Sequence, residues 1–171
     1  MKFKFIIFFI VSFYLTACTS NSVNTEKYSG RDLEIGVVGK FPEVRENNIK
    51  FISIELKDLK EQNQLKKFDA IFIMKENLVE AANDEYVESY QSGIVPFFFI
   101  ESEKSYLPFV VHLSSYEGAP DAQIGDYATG YYNNPNGEME YWGYGLYDDV
   151  QNEDNIKDAY TRIFKTIDEI N

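Results

Sequence analysis

Cysteine and histidine are almost absent from this 171-residue chain, which holds one of each, Cys18 and His112. One Cys rules out an internal disulfide and any multi-Cys zinc or iron–sulfur site, and one His rules out a His-pair metal centre. No apolar run reaches the roughly 20 residues that cross a bilayer core. Positive charge is scarce: 16 Lys and Arg stand against 28 Asp and Glu, a net charge of −12. A nucleic-acid binder needs a basic surface to displace counterions from phosphates, so no nucleic acid is expected as a partner. Phosphate-cradling loops are missing too. Gly36-Val37-Val38-Gly39-Lys40 has too short a turn, with no Ser or Thr after the Lys, and Gly-x-Gly-x-x-Gly does not occur. No cofactor is expected. What remains is ordinary globular material, 44% hydrophobic and 26% charged, in a length that suits one domain.

The amino terminus is the most specific segment. Lys2 and Lys4 precede a mainly apolar run from Phe5 to Leu15, then comes Leu15-Thr16-Ala17-Cys18. A basic start and a short apolar run fit a secretory signal rather than a spanning helix. Leu15 to Cys18 resembles the lipobox of bacterial lipoproteins. The resemblance implies a diacylglyceryl group on the Cys18 thiol, cleavage between Ala17 and Cys18, and attachment to the outer face of the cell membrane. Two acyl chains anchor stably where one is marginal. The mature chain would keep 154 of the 171 residues, and loss of Lys2 and Lys4 would take the net charge from −12 to −14. An anionic membrane surface repels such a body within a Debye length of about 8 Å.

Residues 1–17 are therefore expected to be a signal peptide, 18–31 the lipidated Cys with a flexible tether, and 32–171 one globular domain. The polar stretch from Thr19 to Gly30 has no periodicity and would typically span about 20 Å. Beyond it, four segments read as strands. Leu33–Val38 ends at a Gly, and Ile49–Leu56 alternates as an edge strand does. Ala70–Met74 and Val95–Ile100 are continuous apolar runs, the mark of strands buried on both faces, with Pro96 confined to a strand start. Glu76–Ser92 reads as a helix with Val79, Ala82, Tyr86 and Tyr90 on one stripe and a Gly93 cap. Asn152–Ile170 reads as a stronger helix, its apolar face running from Ile156 to Ile170. Leu59–Leu65 could hold a shorter one. Asn133-Asn134-Pro135-Asn136-Gly137 marks the turn of a Tyr-rich antiparallel hairpin. The fold class is α/β: a mixed, partly parallel sheet flanked by helices, with the hairpin and a C-terminal amphipathic helix. Segments such as Glu34-Ile35-Gly36-Val37-Val38 and Phe68-Asp69-Ala70-Ile71-Phe72 resemble the small Rossmann-like lobes of solute-binding lipoproteins. The mature chain also resembles small lipoproteins of Firmicutes, a class that implies no activity.

Ligands of open α/β sheets sit beyond the carboxyl ends of parallel strands. Lys40, Lys75 and Lys104 are expected to gather at that rim, beside Glu101, where they could hold a carboxylate or phosphate; solvated loop lysines are the alternative. Tyr141, Trp142 and Tyr144 could form an aromatic contact surface, with Gly143 and Gly145 leaving a flat place for a partner; the alternative is a hairpin stabilised by its own cross-strand rings. His112, in the apolar run Phe109–Leu113, could form a triad with Ser102, Ser105 or Ser114, but no Gly-x-Ser-x-Gly elbow is present. Asp148–Asp154 is an acidic run without the order of a calcium loop; carboxylates at a helix start explain it. The expected function is binding rather than catalysis: a lipid-anchored extracytoplasmic domain whose partner is an envelope protein, a wall polymer or a small ligand. The alternatives are an envelope hydrolase or transferase using carboxylates such as Glu101 and Glu103, and an immunity-type lipoprotein that binds a toxin.

Overall fold

The computed structural model describes residues 23, 25–112, 115–122 and 126–170. Cys18 and the signal segment lie outside them. A six-stranded sheet forms the centre, in the order β2-β1-β3-β4-β5-β6. Strands β1 (Leu33–Val38), β2 (Ile49–Ile54), β3 (Ala70–Ile73) and β4 (Phe97–Ile100) are mutually parallel. The hairpin β5 (Asp126–Asn133) and β6 (Met139–Gly145) completes the sheet in antiparallel fashion. The expected mixed α/β fold is what the chain adopts.

The apolar runs sit where two-sided burial demands. Phe98 and Ile100 face one layer while Phe97 and Phe99 face the other. Helix α5 (Glu153–Ile170) covers the first layer, packing Tyr160, Ile163, Phe164 and Ile167 against Ile35, Phe72 and Phe98. Each large side chain so buried is worth about 1.5–3 kcal/mol. Glu153 and Asp154 in its first turn complement the helix dipole. The second layer is covered by short pieces: α1 (Gln62–Leu65), α2 (Leu78–Ala81), α3 (Val87–Gln91), α4 (Leu107–Val110) and the 3-10 turns between them.

Two local expectations are corrected. The segment from Glu76 to Ser92 is not one helix. It breaks at Asn83, whose extended backbone (φ −69°, ψ 142°) starts a new 3-10 turn. Tyr86 and Tyr90 are buried as expected, together with Leu78, Ala81, Val87 and Ser89, whereas Ala82 is half-buried and Val79 faces solvent. The apolar run around Phe109 forms α4, which places Phe109 flat on Phe99 at 3.6 Å between ring centroids. His112 follows it, exposed, with Nδ1 3.2 Å from Asp84.

The amino-terminal segment differs most from its expectation. It docks on α5 from Val23 onward rather than hanging free to Gly30. The Val23 amide donates to Asn155 Oδ1 at 2.9 Å, and the Thr25 hydroxyl donates to Asp158. Tyr28 is buried against Phe164. Arg31 bridges Asp69 at 2.8 Å and Asp168 at 3.2 Å. Beneath this strap the Glu46 carboxylate is wholly buried. It accepts from the Thr161 hydroxyl (2.5 Å), the Tyr28 amide (3.2 Å) and the Arg45 amide (3.2 Å), with Arg45 Nε at 3.7 Å. A buried charge is tolerable only when paired and hydrogen-bonded in this way. No periodic pattern announces the strap, because it forms through single polar contacts distant in sequence. Replacing Glu46 with Ala leaves the Tyr28 and Arg45 amides and the Thr161 hydroxyl without this acceptor and should cost about 3 kcal/mol. Urea denaturation measures the loss, and limited proteolysis should show earlier cutting before residue 32.

Candidate functional site

Strand order creates one crevice. From β1 the chain turns outward to β2, whereas from β3 it turns the other way to β4. Loops therefore diverge above the carboxyl ends of β1 and β3, the position where open α/β sheets take ligands. A cleft of about 610 Å³ opens there, walled by Lys40, Phe41 and Glu43 after β1, Glu76 after β3, and Ile156 and Tyr160 of α5. A second lobe of about 240 Å³ adjoins it above β4 and the hairpin, where Lys75, Ser102, Asp126 and Asp149 stand. Glu101, Tyr127 and Gln151 line both lobes.

Local structure holds these walls. Gly39 adopts φ +117°, and a Cβ there would lie 2.8 Å from both Met74 Cβ and the Asn77 side-chain nitrogen. Only glycine permits this close approach. The Lys40 amide then donates to Glu76 Oε1 at 2.9 Å and Asn77 Nδ2 to the Val38 carbonyl at 3.3 Å. An irregularity between Asp126 and Ala128 inserts one extra residue into β5. Tyr127 consequently shares the α5 face with Ala128 and reaches the cleft floor. There its hydroxyl is hydrogen-bonded with that of Tyr160.

Strain collects at the same place. Among the described residues, the non-glycine positions with left-handed backbones are Glu101 (φ 54°), Asp148 (φ 50°) and Asp149 (φ 55°). Glu101 and Asp149 line the cleft and Asp148 abuts it. Such conformations cost about 1–2 kcal/mol each for an L-residue and cluster at functional sites.

Carboxylates dominate the lining. Seven acids and three lysines face the two lobes. Lys75 lies 3.6 Å from Glu101, and Lys157 pairs with Glu153 one helical turn away. The carboxylates are spread around the walls: among the described residues no three converge to hold a metal ion. Burial pushes the Tyr127 hydroxyl up to about 12, with nearby Glu101 adding and the Tyr160 hydrogen bond opposing. Tyr160 is raised further, first by burial and then by Tyr127.

The expected site residues separate. Lys40, Lys75 and Glu101 meet at the cleft. Lys104 does not. Its Nζ contacts Asp121 at 2.6 Å, and the two residues form a β-bridge that closes the loop after β4. Trp142 stacks on Phe98 and Tyr144 is buried in the same layer, so both serve the core. Tyr141 is 59% exposed but lies on Tyr106, which stacks in turn on Tyr131. The flat place at Gly143 is occupied: a Cβ there would meet the Asp126 carboxylate at 2.7 Å. Ser102 is buried, its hydroxyl held by the Lys104 carbonyl at 2.7 Å and Tyr116 at 3.2 Å, while His112 pairs with Asp84. Ser114 lies outside the described residues. Phe41 and Glu76, which flank the expected lysines in the loops after β1 and β3, line the cleft with them, whereas Glu43, Tyr127, Gln151 and Tyr160 carry no site signal in the sequence. Tyr160 reads as core from its helical spacing, and only the bulge makes Tyr127 a floor. No known protein family, curated protein or solved structure matches the chain.

Two outcomes check this geometry. Glu101→Gly relieves the left-handed backbone and Glu101→Ala does not, while both remove the carboxylate. The Gly variant should therefore be the more stable by about 1 kcal/mol in urea denaturation. The second concerns alkali. Tyr127 and Tyr28 are both raised to about 12, Tyr28 by burial and then by Asp168. A raised pKa means the folded chain keeps a proton that the unfolded chain releases. Their stabilisation is thus complete below about pH 10 and is lost as pH rises from about 10 to about 12. Phenolate absorbance should appear late and cooperatively, together with loss of the thermal transition.

Proposed function

We propose that this protein is a lipid-anchored binding domain on the outer face of a bacterial membrane, with a ligand site in the cleft above β1, β3 and β4. The observation that carries the reading is that two-lobed cleft at the switch between β1 and β3. Its aromatic and carboxylate lining favours a small ligand bearing a positive charge. Phe41, Tyr127 and Tyr160 offer rings that attract cations, and acids outnumber lysines around them. The carboxylate or phosphate ligand expected from the lysines fits less well, since two of the three lining lysines already have acidic partners.

The Ser102 hydroxyl is engaged within its own loop, by the Lys104 carbonyl and Tyr116, rather than paired with a base. Anchoring rests on the lipobox at Leu15–Cys18. Among the described residues no helix is long and apolar enough to cross a membrane.

Isothermal titration of the detergent-solubilised protein with ethanolamine, putrescine and a tri-lysine peptide tests the ligand class, with inorganic phosphate as the contrast. At least one amine should bind, more weakly by several-fold in Glu101→Gln. Saturable phosphate binding with silent amines would overturn it. For the anchor, Cys18→Ala should abolish labelling by a fatty-acid analogue and leave the precursor uncleaved. Retained label on that variant would overturn attachment through Cys18.

A further inference from the structure

The strap and the cleft share one end of α5. Strands β1, β3 and β4 point their carboxyl ends at the cleft, and β6 runs parallel to them, so α5 begins at the cleft and runs back down the sheet. Residues of its first two turns, Glu153, Ile156, Lys157 and Tyr160, form a cleft wall. The strap enters at this same end: the Val23 amide bonds to Asn155 and Thr25 to Asp158. It then descends alongside the helix, past Phe164 at Tyr28 and Asp168 at Arg31.

Covalent geometry sets the reach. Cys18 and Val23 are five residues apart, and a chain of that length spans at most about 18 Å whatever path it takes. Helix α5, with 18 residues, is about 27 Å long. The turn of the hairpin, at Asn136, lies at the far edge of the sheet, where β5 ends and β6 begins.

We infer that the protein presents its cleft edge to the lipid surface, so that the site opens toward the bilayer rather than away from it. This rests on the Cys18 anchor proposed in the preceding subsection. An anchor leaving the domain beside Asn155 cannot place the cleft end farther from the lipid than the length of that short link. The hairpin turn lies at the opposite end of the strands from that point of exit. The acidic body is repelled by an anionic surface within a Debye length of about 8 Å.

Two single-cysteine proteins test the orientation, Asp154→Cys at the cleft end and Asn136→Cys at the hairpin turn. Both positions are exposed. Because lipid consumes Cys18, each mature protein offers one thiol for a fluorophore. The lipidated proteins are reconstituted into phosphatidylglycerol–phosphatidylcholine vesicles carrying an acceptor dye on the lipid headgroups. Energy transfer should be several-fold stronger from residue 154 than from residue 136. Inserting twenty Gly and Ser residues between Ser22 and Val23 should remove most of the difference. Equal transfer from the two positions in the unmodified chain, or stronger transfer from 136, would overturn the orientation while leaving the anchor intact. Failure of both proteins to float with vesicles would overturn the anchor itself, and the orientation with it.

Discussion

One helix lying on one face of the sheet is the contact on which the remaining structure leans. The connection from β1 to β2, residues 39–48, contains no helix, so α5 covers that face with help only from Tyr28 and the loop below it. Phe72 is the meeting point. Its ring touches Phe51, Phe98, Tyr160 and Phe164, at centroid distances between 5.6 and 6.3 Å. Offset and edge-on rings at these spacings add about 0.5–1.5 kcal/mol per pair beyond the area they bury. Placing α5 also places Asn155, Asp158 and Thr161 for the strap, and Ile156 and Tyr160 for the cleft. Anchor path, ligand wall and core therefore come from three sides of one helix.

The other face is built differently. Four short helices, each burying one to three side chains such as Leu65, Leu78, Tyr90 and Phe109, share it with several 3-10 turns. Polar side chains tie the pieces together: Tyr90 donates to the Ala81 carbonyl at 2.8 Å and Gln91 to the Val110 carbonyl at 2.7 Å. Such a layer tolerates local change more readily than a single long helix, since no one element carries the whole face.

How far the sequence could be read follows from this division. Continuous apolar runs at Ala70–Ile73 and Phe97–Ile100, and the 3.6-residue spacing of α5, report burial patterns that repeat along the chain, so their elements were legible. Segments of four or five residues have too few turns to show a period, so the pieces from Leu78 to Gln91 merge into one apparent helix and the apolar run at α4 carries no helical signal. Carboxyl-end lysines pointed to the right edge of the sheet, and Lys40 and Lys75 are there. Lys104 is absent from the cleft because its chain turns back to pair with Asp121. The aromatic hairpin misled in an instructive way. Gly143 gives the space its missing side chain would fill to Asp126, and Trp142 and Tyr144 turn inward, so the residue types favoured at interfaces are spent on folding. The cleft floor depends on one bulge residue, and a single irregularity leaves no trace in a pattern of alternation.

The strap also determines how the domain bears load. Val23, Thr25, Tyr28 and Arg31 are fastened at successive points along a line parallel to α5. A pull on the amino end directed away from the cleft edge runs along that line. It strains these fastenings together, in shear, instead of peeling them one after another. Glu46 and Arg45, clamped beneath, resist sliding of the strap against the helix. The sheet would feel such a tug only after the whole row had given way, so the ligand walls should keep their shape while the chain is under tension.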